Sequence, residues 1–238
     1  MRIAEFIPES TVNYADGRTK QVMYVIVEEF AKGGELYQYV ADSGYFTEPQ
    51  ARFFFHQIVE GLGFIHENGM AHRDMKLDNI LLDENFIVKI ADFGFSGSLK
   101  GKFGTGMMTT VLGTQPYMAP EILLEQPYKG DLVDIFAIGV ILFMLVAGTP
   151  PFEQATSDDA YYRNIVDNKW DTFWKYHSQN KPNGIQFFSS RFKELMESLL
   201  NANPKKRMPV ADIKNHPWYQ GTVASASEVI TECKKRYM

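Results

Sequence analysis

From Ile135 to Ala147 the chain runs for thirteen residues, IFAIGVILFMLVA, without a charged side chain. A segment apolar on every face must be buried on every face, either inside a folded core or inside a membrane. A membrane-spanning helix needs about 20 such residues. Asp131 and Asp134 stand at the start of this run, and Gly148 with Pro150 and Pro151 closes it. It therefore reads as the central helix of a core, with other elements packed around it. A chain of 238 residues is long enough to supply those elements. Lys plus Arg total 24 and Asp plus Glu total 29, a net charge of −5. That balance gives no general attraction to nucleic acid or to anionic lipid, and neither is expected as a partner. The single cysteine, Cys233, excludes an internal disulfide, and Arg2, Glu5 and Pro8 interrupt any apolar signal core at the start. A cytoplasmic location is expected, with the nucleus also open.

Around the central run the pattern changes twice. Residues 2–6 and 22–28 are β-rich and flank Asp16-Gly17, a hairpin signal. From Gly33 to Tyr219 the chain is mostly helical in pattern. Thr47 with Gln50 forms a capping box ahead of Phe54, Ile58, Leu62 and Ile65 at helical spacing. Residues 69–120 are loop-rich, with two short β runs, 80–82 and 88–90. The buried helix is expected from about Leu132, followed by amphipathic helices near 160–166, 188–200 and 210–215. The stretch after Gly221 is polar and is expected to be a helical or partly disordered tail.

Three motifs stand in order in and after the loop-rich stretch: His72-Arg73-Asp74-Met75-Lys76-Leu77-Asp78-Asn79, then Asp92-Phe93-Gly94, then Gly113-Thr114-Gln115-Pro116-Tyr117-Met118-Ala119-Pro120-Glu121. Each is weak alone; the set in this order is specific. On these residues the chain resembles the eukaryotic protein-kinase family. On GGELYQYV, ADFGFSGSL, GTQPYMAPEILL, GTPPF and HPW it is most similar to the calcium/calmodulin-dependent kinase group, from Met1 to about Tyr219. The resemblance implies an α+β, protein-kinase-like fold: mainly the helical C-terminal lobe, with the last strands of the N-terminal lobe. Residues 1–28 would be the remnant of the small β lobe, 29–34 the hinge, 35–219 the large lobe and 220–238 a polar tail.

It also implies a serine/threonine kinase using ATP and Mg²⁺ on protein substrates. Phosphoryl transfer needs positioning and charge neutralisation more than covalent help, which explains the residue types. Asp74 would accept or orient the substrate hydroxyl proton. Asn79 and Asp92 would offer hard oxygens to Mg²⁺. Lys76 would place a positive charge at the transferred phosphate. Glu29 and Ala31 would bond the adenine edge through their backbone, with Leu81 under the ring. Leu36, Leu82 and Ile141 read as plain core. Glu28 falls where the family usually has an apolar residue, and burying a carboxylate there would be costly without a partner. Glu121 and Arg207 would form a buried ion pair. Asp134 would hold the catalytic-loop backbone, with Phe136 where the family more often has Trp. Thr114 would bond near Asp74 and Lys76. Glu35 and Asp78 would receive a substrate arginine, with Leu77 replacing the usual Pro and Met144 in place of a further acid. Arg73 would pair with a phosphate on Thr110, or on the neighbouring Thr109.

Some of the family's parts are not in the sequence. No G-x-G-x-x-G occurs, Lys20 and Lys32 are not in a V-A-I-K strand, and Gly101, Gly104 and Gly106 have the wrong spacing for a phosphate cradle and read as flexibility in the activation loop. The expectation is a truncated form of a kinase. The alternatives are a catalytically impaired scaffold or interaction module, and a partner that supplies the small lobe in trans. Loss of the small lobe would expose the apolar roof of the large lobe, a stickiness liability or a partner interface. Lys234, Lys235 and Arg236 sit in a tail too short and polar to read as a calmodulin-binding helix.

Overall fold

The computed structural model describes residues 3–41 and 44–236. In chain order the elements are strands β1 (Ile3–Asn13), β2 (Thr19–Glu28) and β3 (Gly34–Glu35), and helices α1 (Leu36–Ala41) and α2 (Glu48–Glu67). Strands β4 (Met70–Ala71), β5 (Ile80–Leu82), β6 (Val88–Ile90) and β7 (Gly97–Ser98) follow. The rest is helical: α3 (Pro120–Leu123), α4 (Gly130–Ala147), α5 (Tyr162–Val166), α6 (Trp170–Ser178), α7 (Ser190–Leu199), α8 (Val210–Asn215) and α9 (Ala226–Arg236).

The apolar run is helix α4, buried from Val133 to Ala147. Gly148 ends it in the left-handed region (φ +75°), where glycine carries no Cβ penalty, and donates to the Met144 carbonyl at 2.8 Å. Helix α2 packs across α4 with Phe54, Phe55, Ile58, Val59, Leu62 and Ile65 buried. The Thr47 N–H and hydroxyl both donate to Gln50 Oε1 at its start, at 3.0 and 2.9 Å. Helix α7 reaches α4 at Gly139, where an added Cβ would lie 2.9 Å from that of Leu199.

Helix α6, which the sequence pattern did not isolate, adds Phe173 and Trp174 to an aromatic cluster with Phe143, Phe188 and Phe192. Of the two expectations for the tail, the structure shows the helical one: α9 is docked on the body, with Val229 and Cys233 at 0 % exposure. Arg236 donates to the carbonyls of Tyr39, Gly44 and Tyr45, and stacks on Phe46 at 3.9 Å.

Three small sheets carry the functional loops. β1 and β2 form the expected antiparallel hairpin, paired only with each other among the described residues. Sheet β3-β5-β6 joins the 29–35 segment to the strands after Asn79, with Glu35 opposite Leu81 and Leu81 opposite Lys89. β4 pairs with β7, bringing Met70 and Ala71 beside Ser98 and Gly97.

Candidate active site

The loop from His72 to Asn79 is held from beneath by one carboxylate. Asp134, 1 % exposed on α4, accepts the His72 N–H at 2.8 Å, the Arg73 N–H at 2.7 Å and a hydrogen bond with His66 Nε2 at 2.9 Å. These bonds offset the cost of burying the charge, and they hold Arg73 in the left-handed region at φ +65°. His72 Nε2 reaches the Ala91 carbonyl at 2.9 Å, and the Ala91 N–H donates to Asn79 O at 2.9 Å. Two loops separate in sequence are thereby tied at the residue just before Asp92.

Asp74 is 6 % exposed, and every bond to its carboxylate comes from a residue named above. Thr114 Oγ1 donates to Oδ1 at 2.8 Å; Lys76 Nζ lies 2.9 Å from Oδ2 and also donates to Thr114 Oγ1 at 3.0 Å. Asn79 Nδ2 donates to the Asp74 carbonyl at 2.8 Å and to Oδ2 at 3.2 Å. With its amide nitrogen so engaged, Asn79 keeps its oxygen as the free ligand atom. Asp92 is exposed, has φ +59°, and accepts the Gly94 N–H on Oδ1 at 3.1 Å, which leaves its second oxygen available. One amide oxygen and one exposed carboxylate oxygen fit a hard divalent cation that keeps waters or phosphate oxygens as its other ligands. Phe93 packs on His72 with ring centroids 4.9 Å apart.

Glu121 and Arg207 make the buried pair expected, with two parallel bonds of 2.6 and 2.7 Å. Arg207 also donates to the carbonyls of Asn201 and Leu132, and lies 4.8 Å over the Phe136 ring. Phe136 thus forms the floor of that pair, a role not legible in its position alone. His66 lies in no motif and acts by a tertiary contact with Asp134, whereas Asp159 acts locally, on the backbone N–H groups of Glu153, Tyr161 and Tyr162.

The remaining candidates fall into two groups. Glu29 and Leu81 are linked through β6, since Glu29 pairs with Lys89 at 3.3 Å and Lys89 is opposite Leu81, while the Ala31 carbonyl accepts the Gly34 N–H at 3.1 Å in the turn before β3. Glu28, expected to need a buried partner, is instead exposed at the end of β2. Lys32 pairs with Glu84. Glu35 and Asp78 lie on adjacent elements, since β3 packs against the 77–79 turn. Burial, with Asp78 and Asp74 adding to it, holds the Tyr117 phenol protonated beside them. Met144 is buried in α4.

The activation segment does not join Arg73 to Thr110. The Arg73 guanidinium donates to the carbonyls of Phe95 (2.6 Å) and Ser96 (3.2 Å). Thr109 and Thr110 are exposed, and Tyr128 Oη donates to Thr110 O at 2.8 Å. Gly101, Gly104 and Gly106 all take positive φ in a turn closed by Gly106 N–H to Lys100 O at 2.8 Å, so they serve turn geometry.

A family profile described as "Protein kinase domain" matches residues 6–219. CBL-interacting protein kinase 30 of Oryza sativa subsp. japonica is 37% identical over 226 residues, covering 91% of this chain and 44% of that protein. CBL-interacting protein kinase 11 of the same plant is 36% identical over 216 residues, covering 90% of this chain and 40% of the relative. NUAK family SNF1-like kinase 1 of Homo sapiens is 39% identical over 195 residues, covering 82% of this chain and 27% of that protein. The chain spans less than half the length of these relatives.

Proposed function

Because this chain belongs to the protein kinase family, we propose that it forms the catalytic floor of a serine/threonine kinase of the calmodulin-dependent type, in a form that needs a small lobe for efficient transfer. The observation that carries this is the closed network of Asp74, Lys76, Thr114 and Asn79, tied through Ala91 to Asp92. Asp74 accepts the proton of a substrate serine or threonine hydroxyl, with Thr114 and Lys76 fixing its orientation. Lys76 offsets negative charge on the phosphoryl group in flight. Asn79 and Asp92 would hold Mg²⁺ through the amide oxygen and the available carboxylate oxygen. ATP·Mg²⁺, when bound, supplies the phosphoryl group and neutralises charge between its phosphates. Glu29 and Ala31 take the adenine edge through backbone groups, above Leu81. Glu35 and Asp78 receive a substrate arginine, a charge-assisted contact. Glu121, Arg207 and Asp134 hold the frame. A phosphate on Thr110 draws the Arg73 guanidinium away from Phe95 and Ser96 and orders the segment. The cytoplasm or nucleus is the proposed site of action.

The test joins a small lobe carrying a Gly-rich loop and a strand lysine upstream of residue 3 and measures transfer from ATP to a peptide with arginine three residues before the serine. Transfer that is lost in Asp74→Asn and reduced in Glu35→Ala supports the reading; no transfer, or transfer unchanged by Asp74→Asn, rejects it. A second reading, a scaffold that docks a partner on its apolar surface, is favoured by the exposed side chains of Phe64 (68 %) and Phe93, which line one depression with Ile65, Met70 and Val88. It requires that the chain bind a partner equally well with and without Asp92.

A further inference from the structure

Behind the Pro150–Pro151 turn lies an open basin that takes no part in the chemistry above. Phe152, Glu153, Tyr161, Tyr176 and His177 form its walls. Tyr161 and Tyr176 are 42 % and 49 % exposed, and their rings meet edge to face at 5.9 Å and 86°. Tyr161 lies 5.2 Å from the His177 ring. Glu153 is exposed, and its carboxylate makes no hydrogen bond or ion pair among the described residues. Two aromatic rings beside a free carboxylate are suited to a cation.

The walls are fixed in advance. Asp159 Oδ2 accepts the Glu153 N–H at 2.9 Å, and its Oδ1 accepts the N–H groups of Tyr161 and Tyr162 at 2.8 Å. One carboxylate thus pins Glu153 and Tyr161 together. His177 Nε2 is bonded to the Pro151 carbonyl at 3.0 Å, and its burial keeps the ring neutral, so it adds no opposing charge. Lys181, at the rim, is turned inward: its ammonium donates to the Ala147 carbonyl and stacks over Tyr45 and Phe187. The basin is also joined to the active site. Gln154, next to Glu153, accepts from Gln115 at 3.5 Å, and Gln115 follows Thr114, which touches Asp74.

We infer that this basin binds an arginine side chain of the protein substrate, separate from the arginine assigned to Glu35 and Asp78. The planar guanidinium can stack on a tyrosine ring and present its fork to Glu153, which a lysine ammonium cannot do in one pose. The inference rests on the reading that a peptide lies across this face.

The experiment titrates the full chain, labelled with ¹³C at tyrosine, with N-acetyl-arginine amide and with its neutral citrulline counterpart. Saturable shifts of the Tyr161 and Tyr176 resonances are expected with arginine and not with citrulline. Glu153→Gln should weaken binding about fivefold, the scale of one exposed charge contact. Tyr176→Leu, a surface change, should weaken it as well, and Glu35→Ala should leave it unchanged. No saturable shift, equal binding of citrulline, or an unaltered Glu153→Gln variant overturns the proposal. Phosphotransfer is measured separately: its failure beside intact arginine binding counts against the kinase reading alone.

Discussion

At the level of single residues, the catalytic loop shows which roles a sequence can carry. Asp74, Lys76, Asn79 and Thr114 were singled out through the motifs that carry the family resemblance, and the structure joins all four in one hydrogen-bonded network. His66, Asp159 and Phe136 were not, because each acts on groups distant in sequence or on backbone N–H donors that any residue provides. Glu28 shows the limit from the other side: its position implied burial, but among the described residues it is exposed. His177 yields a pH prediction. Burial holds its pKa at about 4, below the ordinary value of 6.5. Between these values the unfolded chain takes up a proton that the folded chain does not, so this contribution is present above pH 6.5 and is lost as pH falls toward 4. The loss amounts to roughly 3 kcal/mol. His56 and His216, also lowered by burial, act with the same sign. Urea unfolding at pH 7.5 and pH 5 should show a marked drop in midpoint, smaller in His177→Gln; equal drops in both proteins would contradict this.

At the level of elements, the helices with clear periodicity or a capping box were legible, α6 and the short α3 were not isolated, and α9 was expected only as a helical or partly disordered tail. Helix α6 hides its aromatic stripe among charged residues, and α9 buries only Val229 and Cys233 from a polar sequence. Cys233 is the chain's one cysteine, and burial pushes its thiol up to about 12, so it reports on α9 docking. Alkylation of the native protein should be at least about tenfold slower than in urea, and Arg236→Ala, which frees the carbonyls of Tyr39, Gly44 and Tyr45, should speed it. Equal rates in the native and unfolded chain would mean that α9 is not docked. The Glu121–Arg207 pair joins α3 to the turn before α8. Removing one partner leaves an uncompensated buried charge, so Glu121→Gln or Arg207→Met should each cost about 3–5 kcal/mol in urea unfolding. The double variant should cost less than the sum of the two; strict additivity would show that the pair is not coupled.

For the whole molecule, the helical body is built around α4 and carries the loops to which the proposed function assigns proton, metal and substrate contacts. In the β1–β2 hairpin Ile26 is 58 % exposed, and both strands pair only with each other among the described residues. A two-stranded sheet with no layer over it is marginal in water. The central claim is that this chain carries the nucleotide floor and the metal ligands without the phosphate-covering elements that give tight binding. Titration calorimetry of the chain with ATP, with and without Mg²⁺, tests it most directly. The account predicts weak, Mg²⁺-dependent binding, tens of micromolar or weaker, that disappears in Asp92→Ala. Sub-micromolar affinity, or binding indifferent to both Mg²⁺ and Asp92, would contradict it.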